Sequence, residues 1–92
     1  MQMQVAFSDG FADDTAVIRV DGAEAWRGDG LTTRTQISHA GSAEVEAGDD
    51  ARVEVEVPTQ GLMAELERRP YVVVAVDEGG LQVSYPEVFG FA

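Results

Sequence analysis

The side chains that could carry covalent chemistry are few. The chain has one histidine, His39, within Ile37-Ser38-His39-Ala40-Gly41, and no cysteine. A serine nucleophile needs a histidine base and an orienting acid, and in hydrolases it sits on a sharp strand-to-helix turn. Ser8, Ser38, Ser42 and Ser84 lie in no such context, and Ser38 and Ser42 merely neighbour His39 along the chain. The lack of cysteine removes disulfides, thiolate metal sites and a thiol nucleophile. Carboxylates are abundant, but a glycosidase-type pair needs two of them facing each other across a cleft, one with a raised pKa. The glutamates here alternate with apolar residues, which puts them on solvated sheet faces. The expectation is a chain with no catalytic residues, not an enzyme.

Binding chemistry has more candidates. Hard cations such as calcium take oxygen ligands, so loops dense in aspartate with a permissive glycine qualify. Asp9, Asp13 and Asp14 occur in Ser8-Asp9-Gly10-Phe11-Ala12-Asp13-Asp14, and Gly48-Asp49-Asp50 follows Glu46 closely. Neither has the spacing of an EF-hand loop, and Asp beside Gly is also what ordinary turns use. Calcium is the one cofactor these residues suggest. Trp26 beside Arg27 could form a stacking platform for a sugar or a peptide, or could close one end of a small core. Phe89 and Phe91 near the C-terminus could dock on a sheet edge, or fold back as a final strand, the preferred reading. Glu44, Glu54 and Glu56 belong to an acidic face. Such a face could be a solvated, aggregation-resistant surface, a site for a basic partner, or a sign of salt adaptation.

These residues sit in a chain of 92 residues with seventeen acids, six arginines and no lysine, a formal charge of -11. With 45% hydrophobic residues it can fold as one domain, residues 1–92, and acidity alone does not make it disordered. Nucleic acid is an unsuitable partner, because the charge repels a phosphate backbone and the arginines form no stripe. The first seven residues have no basic n-region, and the longest apolar run, 71–76, is far short of the roughly 20 residues that span a bilayer. The expectation is a soluble cytoplasmic protein that binds no membrane.

Period-2 patterning with turn residues at short intervals predicts an all-β chain. Residues 1–7 alternate Met3, Val5 and Phe7 against Gln2 and Gln4. Residues 15–20 meet Asp21-Gly22, a pair favoured in type I′ hairpins. A two-residue loop there sets Val20 opposite Ala23, Arg19 opposite Glu24 in an ion pair, Ile18 opposite Ala25 and Val17 opposite Trp26. That hairpin is expected to end at Gly28-Asp29-Gly30, with a threonine-rich edge strand over 31–38. Segments 43–47, 51–57 and 62–67 alternate strictly, and read as successive hairpins they put Val45 against Val53, Val53 against Leu66 and Val55 against Ala64. Glu44, Glu46, Glu54, Glu56, Glu65 and Glu67 then share one outer face, with Glu44 opposite Glu54, Glu54 opposite Glu65, and Arg52 between Glu46 and Glu67. A short helix at 62–69 is the alternative there. Segment 71–76, apolar on both faces, should be central or covered on its second side, and a four-residue loop pairs Val76 with Leu81, Val74 with Val83 and Val72 with Tyr85.

The architecture expected is a small antiparallel β-sandwich of about seven to nine strands, with a small open barrel as the alternative. The function expected is that of a non-catalytic binding or structural accessory module that contacts another protein or self-associates. A calcium-stabilised or carbohydrate-binding module is the second reading.

Overall fold

A computed structural model of the chain describes residues 1–34, 36 and 39–87. It is all-β, with strands β1 (Gln2–Phe7), β2 (Asp14–Val20), β3 (Ala23–Leu31), β4 (Gly41–Glu46), β5 (Val53–Val57), β6 (Leu62–Leu66), β7 (Tyr71–Asp77) and β8 (Gly80–Ser84), and no helix among the described residues. The strands form two four-stranded sheets, ordered β4-β1-β7-β8 and β3-β2-β5-β6, packed as a sandwich. The second sheet is antiparallel throughout, whereas the first is mixed because β1 and β7 run parallel.

The alternation in the sequence becomes the inner layer. Met3, Val5 and Phe7 of β1, Ala43 and Val45 of β4, and Val72, Val74 and Val76 of β7 are buried from one side. Ala16 and Ile18 of β2, Val53, Val55 and Val57 of β5, and Leu66 of β6 are buried from the other. Registers bring like with like: Val5 lies between Ala43 and Val72, and Val55 between Ile18 and Ala64. The helix considered at 62–69 is replaced by β6, because Leu62, Ala64 and Leu66 fit the pleat beside β5. As expected, β7 is central, flanked by β1 and β8.

Several expectations are corrected. The segment 43–47 does not form a hairpin with 51–57; β4 pairs with β1, Met3 opposite Val45, and the 48–50 turn carries the chain from one sheet to the other. Val45 therefore does not face Val53, nor Glu44 Glu54, and the acids are divided between the sheets. In the first hairpin Val20–Ala23 and Arg19–Glu24 pair as expected around Asp21 and Gly22, which have φ of 52° and 83°. A register shift then sets Ile18 opposite Trp26 and Val17 opposite Arg27. The hairpin also does not end at Gly28-Asp29-Gly30, since β3 runs on to Leu31. Of the strand expected over 31–38, Leu31 is the end of β3, Arg34 bridges His39, and residues 35, 37 and 38 lie outside the described residues. At the β7–β8 hairpin Val76–Leu81 and Val74–Val83 pair as expected, but Asp77 also pairs with Gly80. The turn is thus Glu78-Gly79, and Tyr85 lies beyond the end of β8.

The shift near Ala25 has a physical cause. It turns Trp26 inward, where its ring stacks on Phe7 at 5.4 Å between centroids and 17° between planes, while Phe11 meets Phe7 edge-on at 5.6 Å. Aromatic stacking joins one strand of each sheet. Gly28 makes the arrangement possible, because a Cβ there would lie 2.4 Å from Trp26 Cη2.

Val55→Ala and Val74→Ala should each cost about 1–3 kcal/mol, the loss of buried methyls plus a residual cavity; urea unfolding measures it. Gly28→Ala should cost a similar ~1–3 kcal/mol through overpacking and shift the tryptophan fluorescence maximum, whereas an unmoved spectrum would mean the ring is not held there.

Candidate functional site

Among the described residues the buried charge is Asp14, 5% exposed, at the start of β2. Its Oδ2 accepts from the Ala12 amide and from Gln60 Nε2, both at 2.8 Å, and its Oδ1 from the Thr59 hydroxyl at 2.6 Å. Gln60 Nε2 also donates to the Gly10 carbonyl at 3.2 Å, and Thr59 Oγ1 accepts from the Thr15 amide at 3.2 Å. Next to this, Thr33 Oγ1 donates to the Ser8 carbonyl at 2.6 Å and accepts from the Phe11 amide at 3.0 Å. Thr32 Oγ1 accepts from the Asp13 amide at 2.9 Å. The network ties the β1–β2 connection to the β5–β6 turn and to the end of β3. Burial alone would raise the Asp14 pKa; the Ala12 amide, Thr59 and Gln60 outweigh it and hold the carboxyl below the usual aspartate value.

The aspartate loop is therefore arranged around protein donors. Asp14 is turned inward while Asp9 and Asp13 are exposed. Among the described residues no three His, Asp or Glu side chains gather in a geometry that could hold a metal ion. Gly10, the glycine that looked permissive for ligand coordination, is explained by a close approach, since a Cβ on it would lie 2.0 Å from the Val76 carbonyl oxygen. The Val76 amide in turn donates to the Asp9 carbonyl at 2.8 Å, binding the loop to β7.

Trp26 and Arg27 project to opposite faces of β3 and do not form one platform. The indole lies over Phe7, while Arg27 reaches Glu24 at 3.8 Å and Asp29 at 3.6 Å on the outside. The acidic candidates separate in the same way. Glu44 lies on the outer face of β4, where it accepts from Gln2 Nε2 at 3.0 Å, and Glu46 meets the Met1 ammonium at 2.9 Å. Glu54 and Glu56 lie on the outer face of the second sheet. Arg19 pairs there with Glu56 instead of Glu24, and Arg52 with Glu65 at 3.4 Å instead of lying between Glu46 and Glu67. Glu54 stands opposite Glu65 as expected, with Arg19, not Glu44, on its other side. On the edge strand β6 of this face Met63, opposite Glu56, is 61% exposed. Phe89 and Phe91 lie outside the described residues, as does Ser38. His39 is partly buried, and its carbonyl accepts from the Arg34 amide at 3.0 Å.

Residues that the sequence did not single out include Thr59 and Gln60, whose turn position disguised their part in the Asp14 network. A shallow groove of about 250 Å³ is lined by Arg69, Pro70, Tyr85, Pro86 and Glu87. Arg69 lies over the Tyr85 ring at 5.6 Å, and the Tyr85 hydroxyl accepts from the Glu67 amide at 2.9 Å. Comparison with protein-family models, with curated proteins and with solved structures finds no match.

Asp14→Asn should cost about 1–3 kcal/mol at neutral pH, because its amide would set a donor against a donor. The native carboxyl has a lowered pKa, so its contribution is full above the unfolded value of about 3.9 and is lost as pH falls through the folded value. Urea unfolding of the native protein should show that loss below about pH 4, and the Asn variant should lack that component.

Proposed function

We propose that this protein is a non-catalytic accessory module that works through contact with another protein surface, self-association included. The observation that carries this reading is how the polar interior is used. Asp14 is the buried charged side chain of the described residues, and its oxygens accept from Ala12, Thr59 and Gln60. The rest of the inner layer is apolar and packed. What the described residues offer for recognition is the outside: sheet faces, their edges, and a shallow groove beside Arg69 and Tyr85. Flat surfaces of this kind suit macromolecular contacts better than enclosure of a small substrate, which ordinarily takes a concave pocket.

The acidic faces support contact of a selective kind. Carboxylates fixed on a sheet ladder speed encounter with complementary partners and repel acidic ones, affecting choice of partner more than tightness. Several of them are already paired with arginine: Glu56 with Arg19, Glu65 with Arg52, Glu24 with Arg27. The two exposed pairs, Glu65 with Arg52 and Glu24 with Arg27, are worth under about 1 kcal/mol each, so they can exchange partners at little cost.

Sedimentation equilibrium over a wide concentration range, at low and high sodium chloride, tests self-association. A mass that rises with protein concentration supports it. A monomer throughout rejects self-association and leaves contact with a different protein as the remaining form of the proposal.

A further inference from the structure

The glutamates and arginines that point outward from the second sheet do not match one to one. Glu56 is held by Arg19, Glu24 by Arg27 and Glu65 by Arg52. Glu54 is left over. Arg19 lies across from it but gives its guanidinium to Glu56, and on its other side Glu54 meets Glu65. Among the described residues the half-buried Glu54 carboxylate has no ion-pair or hydrogen-bond partner. On the first sheet the outward acids of β4 are better served, since Gln2 donates to Glu44 and the Met1 ammonium meets Glu46.

Beside Glu54 lies a second departure. Met63, a large apolar side chain, is 61% exposed and stands opposite Glu56, which makes it the diagonal neighbour of Glu54. Diagonal neighbours on adjacent strands are ~7–8 Å apart, within reach of one ligand. The Glu65 side chain between them and the sheet edge is 62% exposed, so the face is open here.

We propose that the outer face of the second sheet, centred on Glu54, is the docking surface for an extended basic segment of another protein, which seats an arginine on Glu54 and Glu65 and lays an apolar side chain on Met63. This rests on the reading of the protein as a contact module and names the face and the partner. Charge decides the occupant. A second copy of the chain brings seventeen acids against six arginines, and nucleic acid brings a phosphate backbone, so both are repelled. A basic segment supplies the cation that Glu54 lacks. Guanidinium suits two opposed carboxylates better than ammonium, because its planar fork of donors reaches both at once.

The apolar half of the ligand follows from strand geometry. In an extended chain, residues two apart project from the same side, ~7 Å from one another. That is the step from the Glu54–Glu65 row to the Glu56–Met63 row, which are two residues apart along β5 and β6. Contact on an open face is weak and salt-sensitive.

The test is titration of the full chain at low salt with the capped peptide Arg-Ser-Leu-Ser-Arg, and with Arg-Ser-Ser-Ser-Arg, which keeps the charge and lacks the apolar side chain. Nuclear magnetic resonance follows backbone amides and methionine methyl groups, and circular dichroism confirms that each variant is folded. The leucine peptide is expected to shift Glu54, Glu65 and Met63 together. Glu54→Gln should weaken it about fivefold, the upper range for one exposed ion pair. Glu44→Gln removes the same charge from the other sheet and should leave binding almost unchanged. Met63→Ser should lower the affinity for the leucine peptide to that for the all-serine one.

Shifts centred on Glu44 and Glu46, or equal losses in Glu54→Gln and Glu44→Gln, overturn the assignment to this face while leaving the interaction reading in place. Binding of the leucine peptide that Met63→Ser does not weaken overturns the two-point docking. A protein whose resonances stay fixed at millimolar peptide overturns the proposal together with the reading of the acidic faces as selective contacts.

Discussion

Val72 and Val74 of one sheet and Val53, Val55 and Val57 of the other are fully shielded from water, and their modest size sets how closely the sheets approach. With no disulfide to assist, this thin layer of valine and alanine must supply most of the favourable free energy of folding. A layer so composed has little volume to spare, since protein interiors are packed as densely as organic crystals. Larger side chains gather at the Phe7–Phe11–Trp26 cluster, where β1 and β3 meet through an aromatic stack. The register shift in the first hairpin, the extension of β3 through Gly28 and the inward turn of Trp26 are consequences of that one contact.

What could be read from the sequence follows from how local each feature is. Period-2 alternation depends only on neighbouring residues, so the burial of Met3, Val5 and Phe7, of Val53, Val55 and Val57, and of Val72, Val74 and Val76 was legible, as were the Val53–Leu66 and Val76–Leu81 registers across short turns. The partner of β4 was not. The same alternation serves either sheet, and a turn at 48–50 fits a hairpin or a crossing equally well. The decision lies in β1, some 40 residues earlier, whose Met3 and Val5 face Val45 and Ala43. The bulge near Ala25 was hidden for a similar reason, because nothing near it announces Phe7 as the stacking partner of Trp26. Of the candidate site, Asp14 was visible as an acid in a loop, but Thr59 and Gln60 are 45 and 46 residues away and become its partners only through the topology.

Division of the acids between the sheets changes the electrostatics. Had 43–47 and 51–57 formed a hairpin, Glu44 would have stood against Glu54 with both acidic strands on one face. Instead Glu44 faces Gln4 and accepts from Gln2, and Glu46 is met by the Met1 ammonium. The second sheet keeps the Glu54–Glu65 opposition, moderated by Arg52 on Glu65 and by Arg19 across from Glu54. Each direct opposition of like charges costs up to about 1 kcal/mol, a meaningful fraction of the stability of a small domain.

Asp14 shows why a chain with so little interior to spare keeps an ionised group inside it. The connection before β2 and the turn after β5 are largely polar, with Phe11 as the apolar side chain that reaches the core. Apolar burial therefore cannot fix the rest of these loops. A carboxylate can, because it accepts several directional hydrogen bonds at once, and bonds to a charged group are worth more than neutral ones, about 1.5–3 kcal/mol each. Its desolvation is offset only while every oxygen is engaged, and both oxygens of Asp14 are. Order at this end of the sandwich thus depends on three donors from two separate loops arriving together, so neither loop can rearrange without the other. That coupling leaves the loops poorly suited to open around a ligand and well suited to hold β2 and β5 in the register that places the outer-face acids.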